Sequence, residues 1–194
     1  MAEFIQKHKL FSFYSTLMIV VVLIAIFAPW LAPGDAFSSN LSQALQAPSS
    51  QHWFGTDKLG RDVLSRIIYG TQLSLFMGVS IVVIMVSIGT IIGAVAGYFG
   101  GKIEMVLMRL ADIMLSFPGV VLAIAIAGIL GGSIVNTIIA LSVVGWAKYA
   151  RLVRSMTLKV RGEEYVTAAV MMGASTTTIL RRHIICLLYT SDAA

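Results

Sequence analysis

Residues 161–184 read RGEEYVTAAVMMGASTTTILRRHI, and the fold turns on how that stretch sits behind four long apolar runs. Glu163 and Glu164 stand in the first turn of a helix-forming run, where negative charge suits the positive end of the helix dipole. Val166, Ala169, Val170 and Met172 recur at helical spacing and can gather on one side. Gly173 breaks the run, as a glycine just past a helix end commonly does. Ser175 can cap a second short helix that closes on Arg181, Arg182 and His183, the charge that suits a helix C-terminus. The stretch therefore predicts helix, glycine turn, helix, held outside the membrane on its positively charged side.

A membrane is required by composition. Of 194 residues, 58% are hydrophobic and 12% charged, with mean hydropathy +0.89. A soluble domain of this length could not hide that much apolar surface, so the expected fold class is all-α, a polytopic transmembrane helical bundle. The net charge of +5 reports topology first, because the basic residues flank apolar runs. They form no stripe of the kind nucleic acid needs, so no nucleic-acid partner is expected. A single cysteine, Cys186, allows no internal disulfide and no metal-site spacing, and no metal site is expected.

Immediately upstream, Ile134 to Trp146 begins a fourth span that ends in Lys148, Arg151 and Arg154, followed by Lys159 and Arg161. Positive residues near span ends stay in the cytoplasm. A third span covers Ile103 to Leu130. Arg109 and Asp112 lie one turn apart near its cytoplasmic end and can pair on one helix face, or Arg109 can snorkel to the interface. Phe117-Pro118-Gly119 should kink this helix, because proline removes a backbone donor, which makes Pro118 a candidate hinge. The second span, Leu73 to Gly97, carries no charge. Its Gly89, Gly93 and Gly97 share one face and invite close approach of another helix, within the chain or from a second subunit. Between these spans, YFGGK (98–102) imitates a phosphate-binding loop. It has Ala96 where a glycine is needed and Ile103 where Ser or Thr is needed, so no nucleotide site is expected on this chain.

Farther out, HWFGTDKLGRDVLSRIIYG (52–70) has turns at Gly55 and Gly60, and Asp62 opens a short helix with an apolar face, an interfacial pattern. Asp57, Arg61 and Asp62 can fix these turns and pair with one another. Residues 32–51 are polar and rich in turn formers, unfit for lipid. Leu10 to Leu31 is long enough to cross a hydrocarbon core of about 30 Å and too long for the core of a cleaved signal peptide. With Lys7, His8 and Lys9 inside, four crossings return the basic cluster to the inside. The domain expectation is thus a cytoplasmic N-terminus (1–9), a first transmembrane helix (10–31), a periplasmic segment with a short amphipathic helix (32–72), a core of three spans plus the loop (73–185) and an atypical tail (186–194).

Several strings resemble one family. Ala168-Ala169, Gly173 and Arg182-His183-Ile184 resemble the coupling loop of permease subunits of ATP-driven importers of the ABC type. Thr167 stands where the family has Glu, and Ile185-Cys186 where it has Leu-Pro. Gly55-Thr56-Asp57 with Leu59-Gly60-Arg61-Asp62-Val63-Leu64-Ser65-Arg66 resembles the segment before the second span in the dipeptide, oligopeptide and nickel branch. Val144-Gly145-Trp146 and Tyr149-Ala150-Arg151 resemble that family's approach to the loop. The resemblance covers roughly residues 10–185. It implies a bacterial inner-membrane permease with its N-terminus in the cytoplasm. The implied partners are a second permease subunit, two cytoplasmic ATPase subunits that carry ATP and Mg, an extracytoplasmic solute-binding protein and the lipid bilayer. It assigns ATPase coupling to Glu164, Tyr165, Thr167, Ala168, Ala169, Gly173, Ala174, Ser175, Arg182 and His183. Docking is expected from Ala169 and Met172, with charge steering from Arg181 and Arg182. Family members continue with two further spans, so the chain is expected to be truncated after the loop.

The implied function is passage of di- or oligopeptides, or of nickel chelates, driven by separate ATPases. An intramembrane enzyme would need clustered catalytic groups. His8, His52 and His183 lie far apart outside the apolar runs, and no HExxH or GxSxG string occurs, so no catalytic residue is expected. A membrane scaffold that binds another cytoplasmic protein through the loop is the remaining alternative.

Overall fold

The computed structural model describes residues 9–174 and residue 178. The regular elements among the described residues are helical: α1 (Lys9–Ile26), α2 (Ala28–Leu31), a 3-10 turn (Leu41–Gln43), α3 (Val63–Phe99), α4 (Gly101–Ser116), α5 (Gly119–Leu130), α6 (Ile134–Arg161) and α7 (Glu164–Met171). Contacts divide the chain into two units, residues 1–79 and 80–194, with the division inside α3.

In the first unit, α1 stops at Phe27 because Pro29, near the start of α2, cannot donate a hydrogen bond to the preceding turn. The expected single helix from Leu10 to Leu31 is therefore interrupted. A second difference lies downstream. The short amphipathic helix and the second span, expected as separate elements, are one continuous helix, α3. Thr71 donates its hydroxyl to the Ile67 carbonyl at 2.9 Å, and no proline interrupts the passage through Gly70. Its 37 residues extend about 55 Å, well beyond a hydrocarbon core of about 30 Å.

In the second unit, α6 is the central element and packs along both α4 and α5. Ala111 of α4 meets Trp146, Ala147 and Ala150 of α6, with Ile92, Met108, Met114 and Leu115 around them. Small residues at the contact let these helices approach closely. The third span is not a gently kinked rod: α4 and α5 meet at 91°. Phe117 is extended and Pro118 precedes the first residue of α5, so the helix breaks over two residues instead of bending at one.

By length and apolarity, α3 alone among the described residues can cross a membrane as one helix, and the α4–α5 pair would be a second if it forms one bent span. The four expected crossings are thus not all single straight helices. Leu10–Ile26 is a shorter apolar helix, and the apolar half of α6 ends at Lys148. Apolar side chains such as Phe76, Val79, Val82 and Val83 on α3 are exposed, as lipid-facing residues would be.

Candidate functional site

Three sets of residues carry the chemistry expected of the chain: the basic end of α6 with α7, the helix contacts that hold α6, and the turn region before α3.

The N–H of Gly162 meets the Lys159 carbonyl and that of Glu163 meets the Val160 carbonyl, both at 3.1 Å, which ends α6. Glu163 then takes the N-cap position of α7, and its carbonyl receives the N–H of Val166 at 3.1 Å. Glu164, Thr167 and Ala168 are exposed on this helix. Burial, then the Glu163 carboxylate, push the Tyr165 phenol up from its ordinary value. α7 closes with Gly173 at φ +83°: the N–H of Gly173 meets the Val170 carbonyl and that of Ala174 meets the Ala169 carbonyl, both at 3.0 Å. This paired pattern satisfies the last carbonyls and needs the left-handed backbone that glycine adopts without strain. Val166 and Ala169 are buried within the chain, whereas Val170, Met171 and Met172 are exposed. Ala169 is therefore turned inward, contrary to the docking contact expected of it. The apolar outer surface belongs to Val170 and the two methionines. Ser175, Arg181, Arg182 and His183 lie outside the described residues.

The glycine face of α3 lies on α6. A Cβ on Gly89 would stand 2.6 Å from Tyr149 Cβ, and one on Gly97 would stand 2.7 Å from Thr157 Cβ. A Cβ on Gly93 would meet the Ala150 carbonyl and Val153. Between the alternatives left open for this face, the structure places a helix of the same chain against it.

Ion pairs hold α6 to α4. Arg154 donates from Nε to Glu104 Oε1 at 2.6 Å, and Arg151 pairs with Asp112. The expected Arg109–Asp112 pair does not form. An acid three residues after a base is a poor order for an in-helix pair, and the close α4–α6 packing brings Arg151 to Asp112 instead. Arg109 is exposed and has no ion-pair partner among the described residues. In the sequence Arg151 and Arg154 read only as members of the basic cluster, and Glu104 carried no expectation. Their pairing depends on how α6 folds back along α4.

Before α3, the residues expected to fix turns do so. Asp57 accepts the backbone N–H groups of Leu59 and Arg61 at 2.8 and 3.0 Å. It also pairs with the guanidinium of Arg61 at 2.8 Å and with Arg66. The Arg61 backbone N–H, opposed by partial burial and helped by the Arg61 guanidinium, holds the Asp57 carboxyl well below the usual range. Asp62 caps α3 by accepting the Ser65 N–H at 2.8 Å and meets His52 Nδ1 at 3.0 Å, not Arg61. Burial alone would raise the Asp62 pKa; the Ser65 N–H and His52 outweigh it, and the net direction is down. Ser65 in turn accepts the Gly34 N–H at 3.0 Å. Thr56 donates to the Gln43 carbonyl and accepts the Gln46 N–H at 2.8 Å. Gly55 and Gly60 adopt φ +71° and +73°, and a Cβ on Gly60 would strike the Asn40 backbone. His52 and Arg66 were missed as members of this network, because their partners are fixed by the loop's return onto α3.

Residues 89–189 match the family described as "Binding-protein-dependent transport system inner membrane component". Residues 5–48 match the "N-terminal TM domain of oligopeptide transport permease C". The chain is 43% identical over 181 residues to a dipeptide transport system permease protein, DppC, of Alkalihalophilus pseudofirmus, covering 93% of this chain and 60% of that protein. It is 37% identical over 180 residues to the oligopeptide transport system permease protein OppC of Bacillus subtilis, covering 93% and 59%. It is 44% identical over 172 residues to a glutathione transport system permease protein, GsiD, of Escherichia coli, covering 87% and 56%. The chain thus spans about 60% of the length of these relatives.

Proposed function

This chain belongs to the family of binding-protein-dependent transport system inner membrane components, and on that premise we propose that it is a permease subunit of an ATP-driven importer of small peptides. The observation that carries the reading is the elbow at the end of α6. A long helix, fixed to α3 by a glycine seam and to α4 by two ion pairs, runs on through Gly162 into a short helix with an exposed apolar surface. Force applied to Val170, Met171 and Met172 would pass into α6 and reach the break at Pro118. Alternating access needs such a lever, with a stiff segment joined to one that can change its bend.

In this reading the N-terminus is cytoplasmic and the chain is multi-pass. Residues 73–185 form the core, and the turn region before α3 lies in the periplasm. A second permease subunit, in a heterodimer, completes the path. Two ATPase subunits dock on α7 and the residues that follow it, and carry ATP and Mg; the permease itself performs no catalysis. A solute-binding protein delivers the cargo. The relatives named for dipeptides, oligopeptides and glutathione support a peptide cargo over a nickel chelate.

The test uses the full-length protein reconstituted with its ATPases and binding protein. Gly173→Leu forces a side chain onto a left-handed backbone, at a cost of about 1–2 kcal/mol, and should distort the end of α7. Loss of binding-protein-stimulated ATP hydrolysis with normal membrane insertion is expected. Unchanged stimulation would count against the coupling role and favour a scaffold.

A further inference from the structure

We propose that the groove between α4 and α6 holds the headgroup of an anionic phospholipid from the cytoplasmic leaflet. Its assignment to that leaflet rests on the topology given above. The groove is open, has a volume of about 610 Å³, and its lining includes Glu104, Met105, Arg109, Asp112, Arg151 and Arg154. Three guanidinium groups against two carboxylates leave an excess of one positive charge.

The carboxylates do not exhaust the donors. Asp112 engages Nη2 of Arg151, and Glu104 engages Nε and Nη2 of Arg154. A guanidinium carries five N–H donors in a fixed fork, so both arginines keep donors that face no carboxylate. Arg109 has no ion-pair partner among the described residues and lines the same groove. Arginine forks match phosphate oxygens in pairs, and basic pockets between transmembrane helices on the cytoplasmic side suit anionic headgroups.

A free phosphate would use only the charged half of this site. Beside the guanidinium groups, α4 exposes Met105, Val106, Leu110 and Ile113. Met105 borders the groove itself, so a phosphate tethered to acyl chains would meet charge and apolar surface together. That combination identifies a lipid as the ligand.

The experiment measures binding to the full-length permease in zwitterionic detergent, by native mass spectrometry and thermal shift. The probes are phosphatidylglycerol, phosphatidylcholine and inorganic phosphate. Selective binding and stabilisation by phosphatidylglycerol are expected. Arg109→Gln should weaken it about fivefold, equivalent to ~1 kcal/mol for one basic residue near an anionic membrane surface. Met105→Lys should strengthen binding and Met105→Glu weaken it. Opposite responses at one exposed position would not arise from misfolding. Equal binding of the two lipids overturns the proposal. Full displacement of phosphatidylglycerol by inorganic phosphate at equal concentration also overturns it, in favour of a free-anion site. Indifference of all three variants places the lipid elsewhere and overturns it as well. None of these readouts depends on ATPase coupling, so a failed coupling role leaves this result standing.

Discussion

Replacing Gly93 with alanine tests the α3–α6 seam at its tightest point. The added methyl would stand 2.8 Å from Val153 Cβ and 3.0 Å from the Arg154 backbone N, and would also press on the Ala150 carbonyl. Two of these three neighbours are backbone atoms of α6, so no side-chain rotation relieves them, and the helices must part. Overpacking of this kind costs roughly 1–3 kcal/mol. Alanine also stabilises a helix interior by about 1 kcal/mol over glycine, which partly hides the loss. Gly78→Ala, on the same helix, removes that ambiguity: its Cβ would have nothing within 4 Å. The difference between the two variants cancels the propensity gain and leaves the overpacking of about 1–3 kcal/mol. Thermal unfolding of the full-length protein in detergent should place Gly93→Ala below Gly78→Ala by at least about 2 °C, using roughly 2–4 °C per kcal/mol. Gly89→Ala and Gly97→Ala should behave like Gly93→Ala. The triple variant should cost less than the sum, because one separation of the helices relieves all three contacts. Equal midpoints for Gly93→Ala and Gly78→Ala would refute the seam.

Two further perturbations address the other elements. Asp57→Ala should remove amide-exchange protection at Leu59 and Arg61 at about pH 7, since both N–H groups bond to its carboxylate. The folded pKa of Asp57 lies below its unfolded value of about 3.9, so its stabilisation is complete above that value and is lost as pH falls through the folded one. Protection in the parent should therefore hold from about pH 7 to about pH 4.5, and parental protection in the Ala variant would refute the role given to Asp57. Pro118→Ala restores a backbone donor at the α4–α5 break. At 91° the ends of the span, residues 102 and 129, should lie about 29 Å apart, whereas a straight helix would give about 40 Å. Spin-label distances should shift towards the longer value, and an unmoved distribution would mean that packing against α6, not Pro118, sets the bend.

What the residues disclosed, and what they did not, follows from how local each feature is. The stop at Gly173 was readable because left-handed closure of a helix is a one-residue property. The four-residue glycine repeat in α3 was readable because spacing alone puts it on one face, although its neighbour could be found only in three dimensions. Asp57 and Arg61 pair over one turn and were equally accessible. Asp112 was misread because its partner, Arg151, is 39 residues away and arrives only when Ala111 packs on Trp146, Ala147 and Ala150. Ala169 was misplaced because helical periodicity defines two faces without saying which one the protein covers. The break at Pro118 was located but underestimated: a proline marks where a helix can fail, but the sequence carries no angle, and the two helices meet at 91°.

The side of the bilayer that α7 occupies decides whether it can couple to an ATPase. In the full-length protein with Cys186 and every other native cysteine replaced by serine, single cysteines at Trp53 and Met171, both exposed, can be labelled in intact spheroplasts with a membrane-impermeant maleimide. Trp53→Cys should react at once, and Met171→Cys only after the membrane is opened. Labelling of both positions from the outside would put the apolar tip of α7 beyond the reach of any cytoplasmic ATPase, and the lever role assigned to α6 would be wrong.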